Sequence, residues 1–314
     1  MSQSRSGVPL VVLVLCLLGA AGGLYVWSQS LGGGLGGGMG GGGDGGAGAS
    51  ITPTQLHEAA RTGDVASIER AAAGKGDVNV AVLGMPGIKN GMTPLMVAAQ
   101  AGKTSAVRAL IKAGAKADGA TRDGWTALHF GACVPEADVA KALLEAPGTA
   151  VNGRTPEGWT PVMLACSRGG PEVVATLLAK GADVSFRNRW GQSALALAVR
   201  SGSAEKVKAV LNAGPDVDAM DREQKTALHA AAEETIGVEV AQLLLDAKAD
   251  PNKADDQGVT PLMKAADRGN VALAALLLRT GAKAAVKDAN GQTARDWAVN
   301  RGDDAGNQIA ELLK

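Results

Sequence analysis

From Gly91 to the C-terminus, apolar and polar positions recur in blocks of nearly constant length. Gly91, Gly124, Gly158, Gly191, Gln224, Gly258 and Gly291 are each followed two places on by Thr or Ser, then by Pro or Ala. Their spacings are 33, 34, 33, 33, 34 and 33 residues. Each block predicts two helices. The Thr or Ser hydroxyl can cap a helix whose first residue is Pro or Ala. That helix carries a small pair, such as Ala98-Ala99 or Ala265-Ala266, and is expected to stop at a glycine such as Gly102, Gly169, Gly202 or Gly269. A second helix follows with an apolar stripe, for example Val107, Leu110 and Ile111, or Val173, Val174, Leu177 and Leu178, and ends at Gly114-Ala115, Gly181-Ala182 or Gly281-Ala282. About ten residues then lead to the next block, with Asp123, Asp221 and Asp288 near the bend. A degenerate copy begins near Thr52, with Thr54, Leu56, His57, Ala59 and Ala60 at matching offsets and an insertion around 80–89.

No unit of this size hides its own apolar face, so neighbours must cover one another in a linear stack. Composition agrees: 46% of residues are apolar but 3% aromatic, which leaves a core of Ala, Leu and Val suited to closely packed helices. The chain resembles the ankyrin repeat family at these residues. The pattern T-P-L-x-x-A-A stands at Thr93 to Ala99 and Thr260 to Ala266, T-A-L-H at Thr126 to His129 and Thr226 to His229, and G-A-D-V at Gly181 to Val184. The expected fold is an all-α ankyrin-repeat solenoid over 51–314, with repeats starting near 52, 91, 124, 158, 191, 224, 258 and 291. Departures are local: an extra residue near Pro147-Gly148, another at Thr235 to Gly237, Gln at 224, the inserted loop in the first repeat, and a final unit polarised by Arg295, Asp296, Arg301, Asp303 and Asp304.

The N-terminus follows a different pattern. Residues 8–27 contain no charged side chain, enough at about 1.5 Å per residue to cross a bilayer as a helix. Arg5 precedes the run and no Lys or Arg follows before Arg61, which predicts residues 1–7 in the cytoplasm and the remainder exported. A cleaved signal peptide is the alternative, because Val8 to Leu18 is a compact apolar stretch followed by small residues. Residues 28–50 are a glycine-rich tether with thirteen glycines between Gly32 and Gly48, spanning about 25 Å root-mean-square.

The 31 basic and 31 acidic side chains cancel, which argues against nucleic acid as a partner. Candidate chemistry fails on spacing. His57-Glu58 lacks a second histidine one turn on, and Gly102-Lys103-Thr104 lacks the upstream glycine of a phosphate loop. His57, His129 and His229 occupy one repeat offset and so belong to different units, where each is expected to hydrogen-bond loop backbone. Cys133 and Cys166 fall on adjacent first helices about 8–10 Å apart, too far for a disulfide. We therefore expect no enzyme, no metal and no cofactor.

What remains is surface. Trp125 and Trp159 directly follow the repeat glycine and Trp190 precedes Gly191. The family resemblance places these offsets at projecting hairpin tips, where aromatic side chains suit an interface. The opposing reading lays each indole flat over its own hairpin as a structural element. Phe186, Arg187 and Arg189 extend the candidate protein-binding surface, while Phe130 and Trp297 are expected in the core. The resemblance implies a monomeric scaffold that binds a protein partner through its tips and the concave face of its first helices. Alternatives are a spacer of the cell envelope and a regulatory or protective subunit of a neighbouring enzyme.

Overall fold

The structure is a computed structural model describing residues 51–82, 91–233 and 237–314. The expected membrane segment, its tether, most of the first-repeat insertion and the extra residue near 235 lie outside the described residues. Sixteen helices among the described residues form eight pairs: α1 Pro53–Thr62 with α2 Val65–Ala73, α3 Pro94–Gln100 with α4 Thr104–Lys112, α5 Ala127–Gly131 with α6 Ala137–Leu144, and α7 Pro161–Ser167 with α8 Pro171–Ala179. They continue as α9 Ala194–Arg200 with α10 Ala204–Asn212, α11 Ala227–Glu233 with α12 Val238–Asp246, α13 Pro261–Arg268 with α14 Val271–Arg279, and α15 Ala294–Arg301 with α16 Asp304–Leu312. The described residues contain no strand, only isolated bridges between Ala120 and Thr126 and between Arg187 and Ser193. No described helix is long and apolar enough to cross a membrane.

Each first helix packs on the first helix of the next pair, each second helix on the next second helix, and the two rows face each other. The repeated apolar positions make this possible. Leu95, Leu128, Val162, Leu195, Leu228 and Leu262 are all buried. The small pairs Ala98-Ala99, Ala265-Ala266 and their equivalents are buried too, letting first helices approach closely. Each buried Leu contributes roughly 1.5–3 kcal/mol by leaving water. Polar ties stitch the second-helix ends together. Asn79, Asn152 and Asn252 each reach the following unit, with Oδ1 accepting from Lys116, Asp183 and Lys283 N–H at 2.7, 2.8 and 2.8 Å.

Capping follows the expected Thr or Ser, with two variations. Thr93, Thr160, Ser193, Thr260 and Thr293 accept from the backbone three residues on at 3.2–3.4 Å. Thr126 and Thr226 instead meet Nδ1 of His129 and His229, hydroxyl to ring at 2.8 and 2.9 Å, with their own N–H groups donating to the same nitrogen. The first repeat starts two residues early: Thr52 accepts from Gln55 N–H at 3.3 Å, and Thr54 lies inside α1.

Gly169 corrects an expectation. Gly102, Gly202 and Gly269 have φ of +68°, +73° and +66° after their helices, whereas Gly169 is not left-handed. It is small for another reason: a Cβ there would lie 2.4 Å from the Ala132 carbonyl oxygen, and one at Gly170 would lie 2.0 Å from that of Pro135. The third and fourth units approach backbone to backbone at this point.

One core position breaks the apolar pattern. Where other second helices carry Ala106, Val139, Val173, Val240 and Leu273, α10 carries buried Lys206, whose Nζ donates to the Cys166 carbonyl at 3.1 Å. Burial lowers this ammonium's pKa and pushes the Cys166 thiol up to about 12, so the thiol is unreactive. Cys133 and Cys166 are not bridged to each other.

Candidate functional site at the hairpin tips

Successive pairs are joined by hairpins on one shared frame. We name each tip for the unit it leads into: third 121–125, fourth 155–159, fifth 188–192, sixth 221–225, seventh 255–259 and eighth 288–292. The first residue is Thr121, Thr155, Asn188, Asp221, Asp255 or Asp288. Its N–H donates to the carbonyl four residues on, and its side chain accepts the N–H of that same residue. Asn188 and the three Asp side chains also accept the N–H two residues on. Two donors that the tight bend cannot pair internally are thereby satisfied.

Backbone bonds then link tip to tip. Arg189 N–H donates to the Glu157 carbonyl at 2.7 Å, Arg222 to Trp190 at 3.1 Å, Asp256 to Glu223 at 3.1 Å and Ala289 to Gln257 at 2.9 Å. The equivalent donor of the fourth tip is Pro156, which has no N–H. Gly158 sits where the fifth tip presses close: a Cβ there would lie 3.0 Å from Asn188 Cα, and its φ is +81°. Gln224 occupies the corresponding position of the sixth unit at φ +59° despite its side chain.

The histidines fasten the tips to the helices. His129 Nε2 meets the Trp159 carbonyl at 3.3 Å and His229 Nε2 meets the Val259 carbonyl at 3.0 Å, each reaching into the next unit. Because Nδ1 accepts from threonine, both rings are neutral with the proton on Nε2. Burial lowers the His129 pKa to about 4, outweighing the hydrogen bonds to the Trp159 and Gly153 backbone. It lowers that of His229 too, against the Val259 carbonyl. His57 meets the Met92 carbonyl at 3.0 Å, but its Nδ1 faces the Pro53 carbonyl at 2.7 Å because α1 begins early. As expected, the three rings serve loop backbone in separate repeats.

On this frame the predicted aromatic residues divide. Trp159 and Trp190, from the fourth and fifth tips, lie 6.1 Å apart between ring centroids at an interplanar angle of 59°. Arg189 stacks over Trp190 at 5.0 Å. Trp125 turns instead onto Phe130 at 5.2 Å and His129 at 5.9 Å. Phe130 is buried in the core. Phe186 is half-buried against the core, with the Arg154 guanidinium over its ring at 5.0 Å. Arg187 is engaged within the fold, donating to the Met220 carbonyl and lying 3.5 Å from Asp216. Trp297 packs on the terminal core and donates its indole N–H to Asp288 at 2.9 Å.

Sequence reasoning missed three features of this surface. The frame residues repeat every 33 or 34 positions, but as three residue types whose common property is a short side chain with an acceptor. Arg154 over Phe186 pairs residues 32 apart that no local pattern joins. Glu233 gathers Lys225 of its own unit at 2.9 Å and Arg200 of the preceding unit at 3.9 Å. Burial alone would raise the Glu233 carboxyl, but hydrogen bonding and charge from Lys225 hold it low.

Helix pairs stacked in one direction, joined by bonded hairpins and displaying variable side chains on a constant frame, define a helical repeat scaffold. The family pattern for ankyrin repeats, three copies per match, fits residues 56–155, 162–255 and 228–314, and the chain belongs to the ankyrin repeat family. Such repeats generally mediate protein–protein interaction. The chain is 38% identical over 90 residues to the human neurogenic locus notch homolog protein 4; that stretch covers 29% of this chain and 4% of that protein. Among solved structures, the ankyrin repeat domain of Bcl-3, a member of the IkappaB protein family, superposes with a TM-score of 0.60 at 29% identity, covering 72% of this chain and 99% of that one.

Proposed function

We propose that the protein is a membrane-tethered scaffold that captures a protein partner on the fourth and fifth tips, centred on Trp159 and Trp190. The observation that carries this reading is the paired indoles on adjacent tips whose own frame does not use them. Arg189 belongs to the same patch through its stacking on Trp190. Trp125, Phe186 and Arg187 stand at its margin, Trp125 engaged with its own unit and the other two with neighbouring units. Residues 8–27 would anchor the chain, and 28–50 would let the repeats turn close to the exported face of the membrane.

The test replaces each indole by the residue at the same place in the seventh tip, giving Trp159→Val and Trp190→Gln. Tagged full-length chain is recovered from intact membranes with whatever it holds. The expected outcome is a captured protein lost in the double variant while the melting temperature stays within a few degrees. Equal capture by both chains would remove the tips from the site. Protease added to intact cells should cut within the glycine tether if the repeats are exported; protection would reverse the orientation. Mass measurement of the purified chain separates a retained anchor from a cleaved signal.

A further inference from the structure

The indoles of the fourth and fifth tips each carry an unused hydrogen-bond donor. A tryptophan N–H that leaves water ordinarily finds an acceptor, and Trp297 does so at Asp288, 2.9 Å away. Trp159 and Trp190 are half-buried, yet neither Nε1 donates to any of the described residues. The same holds for Trp125, but its ring is already taken by Phe130 and His129. Trp159 and Trp190 therefore offer apolar ring surface and two free donors, with their ring centroids 6.1 Å apart.

The backbone around them is in the opposite condition. The carbonyls of Thr155, Glu157, Trp159, Asn188, Trp190 and Gln192 each accept an N–H from their own or the next tip at 2.7–3.2 Å, and His129 adds a second bond to that of Trp159. Both signs of charge occur along these hairpins, Arg154 and Arg189 beside Glu157 and Asp183, so net charge does not choose the occupant. The hydrogen-bond inventory does. A helical segment uses its backbone carbonyls internally and leaves none for an indole N–H. A strand brings as many N–H donors as carbonyls, and would find these tip acceptors already engaged. A proline-rich segment brings carbonyls without N–H groups, makes no internal hydrogen bonds and exposes apolar rings. Aromatic-lined grooves bind such segments at low entropic cost. One turn advances about 9 Å, so both indoles fall within a single turn.

We propose that the occupant of the tips is a proline-rich polypeptide segment in polyproline II conformation, its rings packed on the Trp159 and Trp190 indoles and its carbonyls accepting their N–H groups. This rests on the tip reading above and names the chemistry of the partner.

The probe is a fluorescent peptide of four Pro-Leu-Pro triplets, titrated into full-length chain in mild detergent and followed by anisotropy. Gly-Leu-Gly and Ala-Leu-Ala peptides of equal length serve as flexible and helix-forming controls. We expect the Pro peptide to bind and both controls to bind at least about tenfold more weakly. Trp159→Val with Trp190→Gln should abolish binding. Trp159→Phe with Trp190→Phe, which keeps ring surface and removes both N–H donors, should weaken it about tenfold at unchanged melting temperature. A control peptide that binds as well as the Pro peptide, failure of all three, binding that survives Trp159→Val with Trp190→Gln, or full affinity after Trp159→Phe with Trp190→Phe would each overturn the proline-rich segment. Capture from membranes scores the tip reading separately. If the captured protein still disappears with Trp159→Val and Trp190→Gln, the tips stand with a partner of other chemistry; if capture is unchanged as well, both proposals fail.

Discussion

The fourth and fifth tips share their frame with the seventh and eighth but are finished differently. In the fifth, Asn188 Oδ1 accepts from Trp190 and Gln192 N–H, both at 3.0 Å; in the seventh, Asp255 Oδ1 accepts from Gln257 and Val259 at 3.0 and 2.9 Å. Tip-to-tip bonds serve both regions, and a histidine from the preceding unit holds the Trp159 carbonyl in one and the Val259 carbonyl in the other. Val259 and Gln257 complete the seventh tip without aromatic help, while in the eighth the Trp297 indole N–H reaches Asp288 at 2.9 Å. The bend is thus stabilised by a short acceptor side chain, with the Trp190 indole outside that frame and the Trp159 indole half-buried against the core.

The comparison breaks most visibly if the frame is removed. Asn188→Ala and Asp255→Ala should each cost about 1–3 kcal/mol, because two backbone donors lose their acceptor. Equal losses in urea unfolding support a common frame; a much smaller loss at Asn188 would mean that the indoles carry the fifth tip. Acid tests the histidine ties next. Since the folded His129 pKa is depressed to about 4 from 6.5, the unfolded chain binds the extra proton between those values. Stability should therefore be complete above pH 6.5 and fall by up to about 3 kcal/mol as pH drops toward 4. His129→Gln should remove much of that slope and leave a remainder due to His229. Exchanging the aromatic finish for the polar one, through Trp159→Val and Trp190→Gln, should change stability by about 1 kcal/mol or less per site. A larger loss than the frame variants show would assign the indoles to the fold. The smallest effect is expected between the two regions, where Gln224→Gly should stabilise by about half a kcal/mol by relieving its left-handed backbone.

The stacked helix pairs were legible in advance because period, cap and small-residue pair repeat in the same order, and each recurrence checks the others. The histidines were legible for the same reason. Exceptions to the period were not. Gly169 looked like a helix stop because a glycine serves either a left-handed cap or a close backbone approach, and only the neighbouring unit decides which. Lys206 gave no warning, since its charge is accommodated by a carbonyl 40 residues away. The tips were half legible. Their position followed from the repeat, but whether Trp125 would join Trp159 or turn onto Phe130 depends on packing between units.

Pro156 has one more consequence. The joint between the third and fourth units lacks the bond that runs along the following tips, its histidine tie is the longest of the three at 3.3 Å, and α5, beside it, is a helix of five residues. Forces along a one-dimensional array pass only from neighbour to neighbour, so load crosses this seam through helix packing and the close backbone approach at Gly169 and Gly170 instead of a tip bond. A guest gripped by the two indoles would ride on the bonded run downstream and meet the first three units across that seam.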